Sequence, residues 1–164
     1  MLVTLTIYSY LAPLTPDEKK LLADLNLHVG IPALAAPSYE AVMAEKPDKT
    51  VLRNLAIAYQ QIEQKEKALA AIAAFDGHED DPDLMLLKAD ILYSMEQYAD
   101  AAGAYRHAAR NNGREKGRAY LMTGYAAWQV KDIASAKDAF EKASAHKSQK
   151  KAAETALEQL DNQE

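Results

Sequence analysis

Ala119–Phe140 reads AYLMTGYAAWQVKDIASAKDAF, a helix-forming stretch with Gly124 in its interior, Ala136 twelve residues later and an aromatic ring at Phe140, four further on. A glycine inside a helix costs roughly 1 kcal/mol relative to alanine, so the position must need the missing side chain. Close approach of a second helix is the ordinary reason.

Slid along the chain, the same pattern recurs. Small residues stand at Ala23, Ala56, Ala89 and Gly124, spaced 33, 33 and 35 residues apart. Twelve residues after each lies an alanine, at Ala35, Ala68, Ala101 and Ala136. Four further on come Tyr39, Ile72, Tyr105 and Phe140, and three beyond those Val42, Phe75, Ala108 and Ala143. Such a period marks stacked supersecondary units, each too small to bury its apolar face alone. Every unit divides into two helical stretches at a breaker: Gly30-Ile31-Pro32, Gln64-Lys65, Gln97 and Lys131-Asp132. Lys46-Pro47-Asp48, the acidic run from Asp76 to Pro82, and Asn111-Asn112-Gly113 separate the units. The small residue of the first helix and the alanine of the second are expected to face each other across an antiparallel pair, with the later large side chain filling the gap to the next hairpin. On this reading Gly124 admits a neighbouring backbone.

These residues resemble the tetratricopeptide repeat, a helical hairpin of about 34 residues. The second unit matches through Leu52, Leu55, Ala56, Tyr59 and Ala68, the third through Ala89, Tyr98, Ala101, Tyr105 and Ala108. Tyr120, Gly124, Ala136, Phe140 and Ala143 carry the fourth, while the first matches at its end, through Ala35, Tyr39 and the closing Pro47. Pro37, inside the second helix of the first unit, departs from the pattern and predicts a kink. The resemblance spans Pro16 to Lys147. It implies an all-α fold: a right-handed superhelical stack of about four hairpins with a C-terminal capping helix, from the C-terminal part of a longer bacterial protein.

One domain over 1–164 is expected, with repeats at 15–47, 48–80, 81–113 and 114–147. Residues 148–164 form the capping helix, with Ala153, Ala156, Leu157 and Leu160 on one face. Residues 1–14 are a remnant or capping segment; Val3, Leu5 and Ile7 alternate like a strand, but Val3, Ile7, Tyr10, Leu11 and Leu14 share one side of a helix, and an isolated strand would lack a partner. The apolar start suggests a cut end of a longer array and a candidate surface for a homodimer.

Bulk composition agrees with an ordinary all-α protein. Alanine contributes 32 of 164 residues against six glycines and six prolines. A net charge of -5 offers no footprint for nucleic acid, and the one basic run, Lys142 to Lys151, reads as a solvated helix end. With no cysteine, disulfides and thiolate chemistry are excluded and the compartment stays open between cytoplasm and periplasm. Met1 to Pro16 is too short and too polar to span a bilayer and lacks the marks of a signal peptide.

No motif carries chemistry. Gly113 to Gly117 (GREKG) lacks the spacing of a phosphate-binding loop. The histidines at 28, 78, 107 and 146 show no paired spacing for a metal, and Asp80, Asp81 and Asp83 sit where a helix begins and its free amides favour acid. Neither catalysis, cofactor nor metal is therefore expected. In a stack of this kind the first helices line the concave side, so residues three before and one, four and five after each small residue should face a groove. The first unit contributes Lys20 and Asp24, with Leu27 and His28, and the second Arg53, Ile57 and Gln60, with Gln61. From the third come Leu86, Asp90 and Tyr93, with Ser94, and from the fourth Leu121, Tyr125 and Trp128, with Gln129. Tyrosine and tryptophan are the types that anchor interfaces. For Trp128, packing onto the second helix of its own hairpin is the competing placement.

Some members of the resembled family clamp a terminal carboxylate with Lys, Asn, Asn, Lys and Arg. Lys20 and Asn54 match two of those places, but Asp24, Asp83 and Leu87 occupy the others; one unit on, Arg53 and Arg118 match while Ile57, Leu87 and Met122 do not. The expected function is a non-catalytic scaffold holding a segment of a protein or peptide partner in the groove. The alternatives are a type III secretion-type chaperone and an accessory protein of a bacterial envelope or TonB-type transport system.

Overall fold

Several helices begin in this chain where the sequence supplies a side-chain oxygen to their free amides. Thr15 and Glu18 form a reciprocal capping box ahead of α2 (Pro16–His28), with Pro16 at its first turn. Asp48 accepts from the Val51 amide at the head of α4 (Lys49–Gln61). Asp81 accepts from both Asp83 and Leu84 at α6 (Pro82–Ser94), and Asp132 accepts from Ser135 at α9 (Ile133–Ser144). The acidic run before α6 thus does what its position predicts at Asp81, following a 3-10 turn at His78–Asp80.

The computed structural model describes residues 1–110 and 115–162. Among them lie α1 (Leu2–Leu11), α3 (Pro32–Glu45), α5 (Lys65–Ala73), α7 (Tyr98–Arg110), α8 (Lys116–Gln129) and α10 (Lys150–Asp161) besides the four helices above, and no strand. None is long and apolar enough to cross a membrane. The expected linker at 111–113, with Arg114 of the GREKG stretch and residues 163–164 of the C-terminal segment, lies outside the described residues. Two compact units result, Met1–Asp76 and Gly77–Glu164. In the first, α1 lies on α2, and α2 to α5 pack each on the next; in the second, α6 to α10 do the same. α1 is helical, as its apolar side predicts, yet none of its residues is buried. α3 runs through Pro37 as one helix from Pro32 to Glu45.

One turn geometry closes all four hairpins. Gly30, Glu63, Glu96 and Lys131 are left-handed, with φ of 79, 59, 59 and 62°. The next amide in each case reaches back to a carbonyl of the last helical turn, Ile31 to Asn26 at 2.8 Å, Gln64 to Tyr59 at 2.9 Å, Gln97 to Leu92 and Asp132 to Ala127 at 3.0 Å. This is the Schellman termination, and it repays orphan carbonyls that would otherwise face the turn unpaired.

The repeat register is the core. Ala23, Ala56 and Ala89, the facing Ala35, Ala68, Ala101 and Ala136, and the following Tyr39, Ile72, Tyr105 and Phe140 are all 0% exposed. At Gly124 the expected reason for the glycine needs correction. What fills the space is the ring of Phe140 rather than a neighbouring backbone: a Cβ on Gly124 would fall within 2.8 Å of three of its ring carbons. α10 closes this end of the second unit, placing Ala153, Ala156 and Leu160 in one buried cluster with Ala136, Phe140 and Ala143.

Gly124→Ala should therefore destabilise the fold. Overpacking costs about 1–3 kcal/mol and the gain in helix propensity returns about 1, leaving a fall in melting temperature of a few degrees. In thermal denaturation, Gly124→Ala combined with Phe140→Leu should lose less than the sum of the two single losses; strict additivity would show that ring and glycine do not share the space.

Candidate partner-binding faces

Counted from the small residue of each hairpin, the position one later on the first helix and the position sixteen later on the second decide what the first-helix face looks like. In the first and third hairpins these are Asp24 with Tyr39 and Asp90 with Tyr105. The Tyr39 hydroxyl donates to Asp24 Oδ1 at 2.7 Å, and the Tyr105 hydroxyl to Asp90 Oδ1 at 2.6 Å. In the second and fourth hairpins the same places hold Ile57 with Ile72 and Tyr125 with Phe140. A buried phenol thus has an acid beside it, and a buried hydrocarbon has an apolar neighbour, as the cost of an unpaired buried polar group requires.

Each acid also takes a donor from the following hairpin. Asn54 Nδ2 lies 3.2 Å from Asp24 Oδ1, while Arg118 Nη2 sits 2.8 Å from both oxygens of Asp90. Lys20 completes the first cluster, with Nζ at 2.7 Å from Asp24 Oδ2. Burial raises the Asp24 carboxyl, but the bonds from Lys20, Tyr39 and Asn54 and the Lys20 charge outweigh it and hold the group below the usual range. Burial, then the adjoining carboxylate, pushes the Tyr39 and Tyr105 phenols well above the ordinary tyrosine value. Tyr59, donating to Glu40 on α3, is pushed up to about 12 for the same reasons. At Arg118, burial opposes the charge, but the bond and charge of Asp90 override it and raise the guanidinium.

The expected groove residues separate accordingly. Lys20, Asp24 and Asp90 are half-buried and engaged in these clusters, and Arg53 is exposed. Ile57 and Gln60 are partly exposed on α4. Leu86 is withdrawn: at 8% exposure it belongs to the core, because α6 buries three successive residues, Leu84, Met85 and Leu86. Tyr93 is half-exposed and braced edge-on by Tyr98 at 5.1 Å and Tyr105 at 6.4 Å. Tyr125 and Trp128 are braced by Phe140, at 5.1 and 6.3 Å with interplanar angles of 72 and 85°. Leu121 packs with them against the buried cluster. Trp128 takes the competing placement, packed against Phe140 of its own hairpin's second helix, and stays partly exposed. The residues that sequence reasoning missed as partners of the acids are Tyr39, Asn54, Tyr105 and Arg118; for the tyrosines, the pairing of aspartate with tyrosine fifteen residues on, in alternate hairpins only, was the available signal.

Away from these faces, a cleft of about 430 Å³ in the first unit is lined by Met43, Pro47, Ala71, Ala74, Phe75 and Asp76. Among the described residues no group of three or more His, Asp or Glu side chains is placed to hold a metal ion.

No protein-family model matches the chain, and no curated protein matches it significantly. Solved structures do. A crystal structure of MamA superposes with a TM-score of 0.75 at 21% identity, covering 92% of this chain and 88% of that one. A tetratricopeptide repeat protein from Parabacteroides merdae ATCC 43184 gives 0.75 at 18% identity, over 90% of this chain and 60% of its own. A MamA fragment from Desulfovibrio magneticus RS-1 gives 0.69 at 16% identity, over 90% and 93%. The chain has the tetratricopeptide-repeat fold. Within that fold the resemblance read from Gly124, Ala136 and Phe140 holds at the level of packed side chains, and the first-helix faces are where the departures between hairpins concentrate.

The shifted tyrosines give a pH test. A phenol raised in the folded state contributes stability that is present below the unfolded value near 10 and is lost as pH rises toward the folded value. Tyr39, Tyr59 and Tyr105 should ionise only above the ordinary tyrosine value, together with loss of helical circular dichroism. Tyr105→Phe should remove one late-ionising group and cost about 1 kcal/mol; ionisation of all nine tyrosines in a single step with the helices intact would contradict the buried pairing.

Proposed function

We propose that the protein is a non-catalytic interaction scaffold whose first-helix faces hold a segment of another protein. The observation that carries this is the set of three half-exposed aromatics, Tyr93, Tyr125 and Trp128, each fixed edge-on by a ring of its own hairpin. Braced rings present large apolar area at little further cost in entropy, which is how interface anchors work. The narrower roles of secretion-type chaperone or envelope-transport accessory would use the same faces.

The triple variant Tyr93→Ala, Leu121→Ala, Tyr125→Ala removes side chains outside the fully buried register. It should keep its helical circular dichroism and lose more than about tenfold in affinity for proteins the wild type captures from its own cell extract. Unaltered capture by a folded variant would remove these faces from the function.

A second reading concerns α1. From Met1 through Leu11 there is no charged side chain, and Met1, Val3, Ile7, Tyr10 and Leu11 are 57 to 85% exposed. An apolar helix side is normally buried, and on a molecule of net charge -5 an uncharged surface is where two copies can meet without repulsion. We assign this helix to self-association, through an isologous contact of α1 with the α1 of a second copy. Sedimentation equilibrium should find a dimer that Ile7→Glu with Leu11→Glu converts to monomer; a wild-type monomer at high micromolar concentration would exclude the contact.

A further inference from the structure

We infer that the first-helix face of the second unit takes an uncharged segment bearing bulky apolar side chains, rather than an acidic or basic one; this deepens the scaffold reading and rests on it.

The argument is electrostatic first. In the groove register of α6 and α8 the only ionised side chain is Asp90, and its charge is already spent on Arg118, whose Nη2 lies 2.8 Å from both carboxylate oxygens, and on the Tyr105 hydroxyl at 2.6 Å. Both groups of the pair are partly shielded, with side chains 28 and 37% exposed. An arriving carboxylate would have to draw Arg118 away and leave Asp90 uncompensated. An arriving ammonium would have to compete for Asp90 with two donors already in place. Either exchange breaks a part-buried ion pair by removing one partner, the arrangement that is costly in proteins. Charge of either sign is thereby selected against by the pairing of Asp90 with Arg118 itself.

What remains open on that face is apolar. Tyr93 on α6, and Leu121, Tyr125 and Trp128 on α8, are each partly exposed. Tyr93 rests on Tyr98 and Tyr105, and Tyr125 and Trp128 both rest on Phe140, so each ring is supported edge-on by its own hairpin. Phenol tips at Tyr93 and Tyr125 suit the backbone groups of an extended chain, and the ring bodies suit its side chains. The same register in the first unit reads differently, with Lys20, Asp24 and the exposed Arg53, so the apolar preference belongs to the second unit alone.

Trp128 is the only tryptophan and lies in the face itself, so its emission reports occupancy directly. The probes are three blocked octapeptides, acetylated and amidated, in which serine alternates with leucine, aspartate or lysine. The leucine peptide should shift Trp128 emission and saturate at a concentration at least about tenfold below the other two. Arg118→Gln, which releases Asp90, should raise affinity for the lysine peptide several-fold while leaving the leucine peptide unchanged. If the leucine peptide leaves Trp128 unmoved, or if either charged peptide binds more tightly, the apolar preference is overturned. Partner capture by the Tyr93, Leu121, Tyr125 triple variant then decides separately whether the scaffold reading stands: capture lost means the face docks another chemistry, and capture retained means it docks none.

Discussion

A large side chain from the second helix lying across a bare patch of the first is the constraint from which the rest of each hairpin follows. Phe140 against Gly124 is its tightest form, with no room for even one methyl group. In the other hairpins an alanine, at Ala23, Ala56 or Ala89, takes the place of Gly124, and Tyr39, Ile72 or Tyr105 takes the place of Phe140, all with no exposed surface. Interiors at crystal-like density tolerate little change at such a contact. The two helices are held at one separation, and the left-handed termination at the turn sets where the second must start.

The same contact governs polarity. A tyrosine drawn into the core by the packing rule still has a hydroxyl to satisfy, and Asp24 and Asp90 supply the acceptor from one residue beyond the small position. Once an aspartate is fixed there, it needs a counter-charge or further donors, found in Lys20 and Asn54 in one unit and in Arg118 in the other. Polar links between successive hairpins are thus a consequence of which aromatic the core uses. Where Ile72 or Phe140 fills the site, no acid is required, and Tyr125 can be aromatic and partly exposed.

Periodicity made much of this legible in the sequence. Small and large side chains recur at fixed offsets because the contact tolerates nothing else, so the hairpins, their order and the buried positions could be read without coordinates. All four turns were read in place, but residue type announces the left-handed backbone only at Gly30; Glu63, Glu96 and Lys131 adopt it because two main-chain hydrogen bonds hold it, and main-chain bonds leave no mark in residue type. Gly124 was read correctly as a close contact but with the wrong partner, since spacing alone does not say whether the alanine at twelve or the ring at sixteen fills the gap. Leu86 was misplaced because helical register gives the direction of a side chain and says nothing of how far neighbouring helices cover it.

The acids show why direction alone also misjudges function. Asp24 and Asp90 do lie in the groove register, and residue type would offer them to a basic partner. Their hydrogen bonds run instead to Tyr39, Asn54, Tyr105 and Arg118, inside the fold. On the proposed reading, a charge already paired by its own chain gives specificity by refusal, because any ligand that claims it must first leave its partner unpaired. What the face then has to offer is the area of its braced rings, and the residues that hold them, Phe140 above all, are the ones the packing constraint had already placed. Core and proposed docking surface are therefore one arrangement: the buried ring that requires Gly124 also supports Tyr125 and Trp128.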